Sequence, residues 1–266
     1  MSDNTDTAAL LSFADRLADT AGAAILPHFR ADLDVDNKLA DGFDPVTVGD
    51  RAGEAAMRAL IEAEAPDHGI LGEEHGPARL DAEHVWVLDP IDGTRAFICG
   101  LPTWGTLIGL RRNGRPVLGV MDQPFVRERF YGDGARAWRT YDGRETALRT
   151  RACDRLEDAI FCTTHPRLFT GAQCPVYEEI EATVRTARFG TDCYGYCMLA
   201  AGHVDLVIEP GLQAYDIVAL VPIVEGAGGV VTTWTGGAPD DGGDIIASGD
   251  PRLHDAMLTR LARIGT

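Results

Sequence analysis

Apolar residues in the first thirty positions recur every three or four places. Leu10, Leu11, Ala14, Leu17, Ala18, Ala21 and Ile25 predict a helix over 7–29 that ends near Pro27-His28-Phe29. Lys38 to Phe43 is polar, contains Gly42 and reads as a loop. Asp44 to Asp50 leads into a second helix, with Asp50 as its expected N-cap and Met57, Leu60 and Ile61 as its apolar face. Pro66-Asp67-His68 ends that helix. Gly69 to Gly72 reads as a strand that delivers Glu73 and Glu74 at its far end, and the unbroken apolar run Val85 to Leu88 as a short buried strand. Thr103 to Arg112 and Arg115 to Asp122 are strand-like runs joined by Asn113-Gly114, a strong hairpin signal. Glu128–Tyr131 and Ala135–Arg139 add further strands before a turn at Asp142-Gly143. Residues 1–147 therefore predict an α+β half, with helices on one side of a largely antiparallel sheet.

Near residue 150 strands begin to alternate with helices, which suggests an α/β half over 148–266. The strands are expected at Ala159–Thr163, Val204–Glu209, Gly229–Thr233 and Ile245–Ser248. The helices are expected at Pro175–Thr186, Tyr194–Ala201, Asp216–Gly226 and Pro251–Ile264. Pro222 inside the third of these should kink it or remove a bond. Without repeat, low-complexity tract or flexible linker, the two halves are expected to pack tightly.

With 266 residues, 45% of them hydrophobic, the chain can bury a sizeable core. The formal charge of −17 and the lack of a Lys/Arg run argue against nucleic acid as a partner. Such a field suits a divalent metal or a cationic ligand better. The acidic start lacks the basic and apolar regions of a signal peptide, and no apolar run is long enough for a membrane span. The expectation is a cytoplasmic protein without a membrane partner. Six cysteines show no C-x-x-C spacing and most read as core thiols, with Cys193 and Cys197 four apart, a spacing that can share a helix face.

The chemistry concentrates in Trp86-Val87-Leu88-Asp89-Pro90-Ile91-Asp92-Gly93-Thr94. A strand end carrying two aspartates offers the oxygen ligands that Mg2+ prefers. A helix start just beyond offers free N–H groups for a phosphate. Taken alone, the segment could be an acid capping a helix after a proline. Asp44, Glu73 and Asp216 also sit at strand ends or helix boundaries, and a two-metal site needs about this number of carboxylates. No G-x-S-x-G, Cys-His pair or G-x-x-x-x-G-K-[ST] loop competes.

These segments resemble the inositol monophosphatase family of Mg2+-dependent phosphate-monoester phosphatases. The resemblance rests on Asp44 to Asp50, Gly72-Glu73-Glu74, Trp86 to Thr94, Tyr215-Asp216-Ile217-Val218-Ala219 and Glu225 to Gly229, in the family's order across nearly the whole chain. Within the family the likeness is greatest to histidinol-phosphate phosphatases, through Thr94-Arg95-Ala96-Phe97, Gly105 to Gly109, Asp192-Cys193-Tyr194, Ala201 to Val207, and Tyr215 where Trp is common. The resemblance implies a layered α/β/α/β/α sandwich, a homodimer, and two or three Mg2+ ions for which Mn2+ can substitute. It implies that Glu73, Asp89 and the carbonyl of Ile91 hold one ion, and Asp89, Asp92 and Asp216 another. Glu73 and Thr94 would orient and deprotonate the attacking water, with Asp44 paired to the Thr94 hydroxyl. The N–H groups of Gly93 and Thr94 would hold the phosphate.

Asp192 and Glu209 are the candidates for the rest of the substrate. Asp192 reads equally as the N-cap of the following helix, and Glu209 as the cap of a turn at Pro210-Gly211. Glu74 reads as a solvated neighbour rather than a ligand, and His75 and His203 as structural. The implied activity is hydrolysis of a small phosphate monoester, L-histidinol phosphate first. An inositol-1-monophosphatase or broad sugar-phosphate phosphatase, and a regulatory binding protein on the same fold, are the alternatives.

Overall fold

The computed structural model describes residues 2–31, 35–37 and 45–265, so the expected loop Lys38 to Phe43, and Asp44 itself, lie outside the described residues. Helix α1 (Ser2–Ile25) buries Phe13, Ala14, Leu17, Ala18, Ala21 and Ile25, the stripe its spacing predicts. A two-stranded ribbon of β1 (Val35–Asn37) and β2 (Pro45–Thr47) leads into α2 (Val48–Glu64). The N-cap of α2 is Thr47 rather than Asp50. The Thr47 hydroxyl oxygen accepts the Gly49 N–H at 3.1 Å, and the Asp50 carboxylate accepts the Thr47 N–H at 2.7 Å. The helix thus starts a turn earlier than the acid alone suggests, because a capping box uses a hydroxyl first and the carboxylate three residues on.

The strands β3 (Gly69–Gly72) and β4 (His84–Asp92) follow, and after them α3 (Thr94–Ile98). Then come β5 (Gly105–Arg112), β6 (Arg115–Gln123), β7 (Glu128–Gly132), β8 (Ala137–Tyr141) and β9 (Arg144–Ala147). They form a seven-stranded sheet in sequence order, parallel only between β3 and β4. The second half holds β10 (Ile160–Thr163), α4 (Gln173–Thr183), β11 (Thr186–Phe189), α5 (Cys193–Ala200) and β12 (Leu206–Leu212). It continues with α6 (Ala214–Ile217), α7 (Leu220–Gly226), β13 (Val230–Thr233), β14 (Gly243–Ser248) and α8 (Pro251–Leu261). Its five strands run in the order β11-β10-β12-β14-β13. Helix α4 ends three residues short of the expected Thr186, and β11 starts at Thr186, because β10 supplies a parallel partner that no local window shows.

Successive residues of the central strands face different cores. In β5 Leu107 joins the core between the sheets while Ile108 faces α1 and α2. In β12 Val207 faces inward while Leu206 and Ile208 pack with α4 and α8, and in β14 Ile246 does the same between Ile245 and Ala247. Both faces of these central strands are covered, which is why they read as apolar runs. The layers are α1/α2, the large sheet, α5–α7, the small sheet and α4/α8: the expected α/β/α/β/α sandwich. No helix among the described residues is long and apolar enough to cross a membrane.

The single helix expected over Asp216–Gly226 is two, α6 and α7. Pro222 is the third residue of α7, where an N–H needs no intrahelical partner, so it neither kinks nor breaks that helix. The break lets this backbone lie flat on the large sheet. Gly109, Gly119 and Gly132 are cross-strand neighbours on β5, β6 and β7. A Cβ on Gly119 would stand 1.8 Å from the Ala219 carbonyl oxygen, and one on Gly132 2.2 Å from that of Pro222. Only a row of glycines admits this contact, and it fixes the height at which Asp216 arrives.

Candidate active site

Strand β4 carries Asp89 and Asp92 on either side of a register shift in its pairing with β5. Pro90 has no N–H to give to the ladder, so pairing lapses there, and the Pro90 carbonyl accepts the Thr106 hydroxyl instead at 2.8 Å. The Asp89 carboxylate turns back to accept the Ile91 N–H at 3.0 Å. Gly93 then adopts φ 85° and starts α3. The end of β3 brings in Glu73, whose N–H donates to the Leu88 carbonyl at 3.2 Å. Asp216 arrives at the first turn of α6, where its Oδ2 accepts the Gln213 N–H at 2.6 Å.

One carboxylate oxygen from each of Asp89, Asp92 and Asp216 lies within 4.8 Å of the others. Asp89 is 2% exposed. Burial, then the charges of Glu73, Asp92 and Asp216, push its carboxyl well above the usual range. Burial, then Asp192 and Asp216, do the same to Asp92. Desolvated acids that repel one another fit a divalent cation, whose charge would offset the repulsion and whose preference is for hard oxygen donors.

The Thr94 hydroxyl donates to the Ile91 carbonyl at 3.0 Å and reaches Asp50 Oδ1 at 3.5 Å. Asp44, expected beside Thr94, lies outside the described residues, and the carboxylate seen there belongs to Asp50. Burial raises Asp50 to about 6, against the lowering effect of its Thr47 bonds.

Beyond α3 opens a cavity of about 790 Å³, lined among others by Arg95, Leu101, Thr164, His165, Arg167 and Asp192. Asp192 has φ 43° and ψ −136°, a strained backbone for a residue with a side chain. It occupies the N-cap position of α5 but caps nothing with its side chain. Its carboxylate accepts the Thr164 hydroxyl at 3.4 Å. Burial lifts it to about 6, with Thr164 and Arg95 pulling the other way. Glu209 is 3% exposed. Its oxygens accept the Thr164 N–H at 2.7 Å and the Tyr196 hydroxyl at 3.1 Å. It therefore reaches the cavity through Thr164, and Gly211 beside it bonds Asp244 rather than Glu209.

Thr164, His165 and Arg167 carry no motif signal, since they lie on the segment after β10, in and before a short 3-10 helix (Pro166–Leu168), that only folding brings to α3. Glu54 does carry one. It falls on the buried stripe Asp50, Glu54, Met57 and Ile61 of α2, where a charge is out of place. The four buried cysteines 153, 162, 193 and 197 are free thiols, and Cys193 and Cys197 lie together in the central core.

The five-layer sandwich thus sets a carboxylate cluster at a strand end next to a helix start. The sequence profile of the inositol monophosphatase family matches residues 6–265, and the chain belongs to that family. It is 42% identical over 261 residues to the bifunctional phosphatase IMPL2, chloroplastic, of Arabidopsis thaliana, covering 92% of this chain and 72% of that protein. It is 35% identical over 258 residues to the histidinol-phosphatase of Mycobacterium tuberculosis (strain ATCC 25618 / H37Rv), covering 94% and 97%. A solved inositol monophosphatase from Zymomonas mobilis matches with a TM-score of 0.83 at 44% identity, covering 94% of this chain and 96% of that one. The chain is thus a phosphoric monoester hydrolase acting on small-molecule phosphate esters, of a family that is generally Mg2+-dependent.

Proposed function

We propose that the chain hydrolyses L-histidinol phosphate to L-histidinol and phosphate in histidine biosynthesis. Glu73, Asp89, Asp92, Asp216 and the Ile91 carbonyl would hold the Mg2+ ions. The observation that carries the hydrolytic part is the convergence of Asp89, Asp92 and Asp216 within 4.8 Å. When bound, the ions supply positive charge at the attacking and leaving oxygens. Thr94 and Glu73 would orient the attacking water and take its proton, the Thr94 hydroxyl turning its own proton from the Ile91 carbonyl to Asp50, 3.5 Å away. The first N–H groups of α3, which lack intrahelical partners, hold the phosphate beside Gly93 and Thr94.

The substrate assignment draws on the likeness to the M. tuberculosis histidinol-phosphatase and on Asp192. Histidinol phosphate carries an ammonium group and an imidazole that is partly protonated near neutral pH. The Asp192 carboxylate, on a strained backbone at the cavity and bonded to Thr164, would receive one of them, with Glu209 supporting it by holding Thr164. The likeness to the Z. mobilis enzyme favours inositol phosphate as the second reading. A phosphate-release panel with Mg2+ separates the two: histidinol phosphate, inositol 1-phosphate and glycerol 2-phosphate on wild type and Asp192→Asn. The variant should lose about ten- to hundredfold in kcat/KM on histidinol phosphate alone, the size of one charge-assisted bond. A wild type that prefers inositol phosphate overturns the assignment.

A further inference from the structure

Glu54 is buried at 0% exposure in the middle of α2. Its Oε1 accepts Arg58 Nε–H at 2.6 Å and the His75 N–H at 3.1 Å, and its Oε2 accepts the Glu74 N–H at 2.6 Å. Arg58 Nη2 in turn donates to the carbonyls of His75 at 2.6 Å and Gly76 at 2.8 Å. Gly72 makes room for this: a Cβ there would stand 2.1 Å from Glu54 Oε1. Residues 73–77 have no helix or strand of their own. Their backbone is held instead by one buried ion pair, immediately after Glu73.

We propose that Glu54 and Arg58 are positioning residues for Glu73. The segment after β3 has Glu73 N–H on Leu88 at one side and four backbone groups of 74–76 on the Glu54–Arg58 pair at the other. Glu73 is thereby held at the end of β3, next to the Leu88–Asp89 segment of β4. A carboxylate on an untethered loop would swing away from three other acids, since repulsion favours separation and an entropy gain favours it too. The pair resists that motion, so the carboxylates are gathered before a cation arrives. This rests on Glu73 being a metal ligand, as proposed above.

Outer-shell partners of this kind typically change metal affinity by about 10–100-fold when removed. The test is Mn2+ binding to the full chain, read from the electron paramagnetic resonance of free Mn2+, in wild type, Glu54→Gln, Arg58→Lys and Ile61→Val. Arg58→Lys keeps the charge but loses the planar fork, and Ile61→Val loosens α2 without touching the loop. Glu54→Gln should raise the half-saturating Mn2+ concentration about tenfold or more, and Arg58→Lys should raise it in the same direction. Ile61→Val should leave it unchanged despite a lower Tm. If Glu54→Gln fails to fold, Arg58→Lys decides. Folded variants that lower Tm but bind Mn2+ within twofold of wild type overturn the inference and leave the metal site standing. A wild type that binds no Mn2+ overturns the metal reading itself, and the inference with it.

Discussion

Asp92 Oδ2 accepts the backbone N–H of Cys193 at 2.6 Å. One oxygen of a candidate ligand is thus spent on the first turn of α5, the helix that begins beside Asp192. The bond joins the end of β4 to the rim of the cavity beyond α3 across 101 positions of sequence. It places the acid that would face a metal and the acid that would face the substrate on adjoining backbone.

Asp89 costs the metal-free protein stability, because it is buried among like charges. Asp89→Asn keeps an oxygen for the Ile91 N–H and removes the charge. Turnover should fall by at least about 10²-fold, as when an electrostatic contact to the transition state is lost. The Tm in EDTA should rise by a few degrees, at about 2–4 °C per kcal/mol for a domain of roughly this size. Full activity in the variant would sink the metal reading.

Glu209 predicts a pH dependence. Burial raises it from an ordinary value of 4.5 to about 7 in the fold. A carboxyl whose folded pKa is raised stabilises fully below its unfolded pKa and loses that contribution as pH climbs through the folded one. Thermal melts in EDTA should show Tm falling from pH 4.5 towards 7 because of this group. Glu209→Gln should flatten that part of the curve, and an unchanged slope would assign the effect elsewhere.

Thr94→Ala deletes the hydroxyl bonded to Ile91 and Asp50 and leaves every carboxylate in place. Positioned proton-transfer groups contribute about 10²–10⁴-fold. The expected result is a kcat loss in that range with an unchanged half-saturating Mg2+ concentration. A variant with normal kcat and weakened metal binding would show that the hydroxyl serves the ion and not the water.

Gly119→Ala tests the row of glycines under α6 and α7. The added Cβ would collide with the Ala219 carbonyl oxygen. Overpacking of this kind costs about 1–3 kcal/mol or more. Tm should drop, and kcat should drop with it, because Asp216 travels with this backbone. An Ala variant as stable and active as wild type would mean the two layers separate freely.

Much of the fold is legible because its signals are local. The α1 stripe, the Asn113-Gly114 hairpin and the buried run Val85–Leu88 each follow from spacing or turn chemistry within a few residues. The misreadings are of another kind. Asp50 reads as an N-cap when its hydroxyl partner Thr47 is left out. The α6–α7 break is hidden because both pieces are apolar on the side facing the sheet. Strand β11 is hidden because only β10 distinguishes it from a helix end.

The sequence by itself determined the class of chemistry: Asp89 and Asp92 at a strand end, Glu73 after a strand and Asp216 at a helix start all follow from short-range pattern. The tertiary structure alone decided that these acids meet. Their convergence depends on three glycines on neighbouring strands admitting a helix backbone, on Asp92 reaching Cys193, and on the ion pair in α2 that grips the loop after Glu73. Each of those contacts joins segments far apart in the chain. Bringing desolvated like charges together is unfavourable locally, so no local propensity could announce it; the packing of the layers supplies the energy that holds them there.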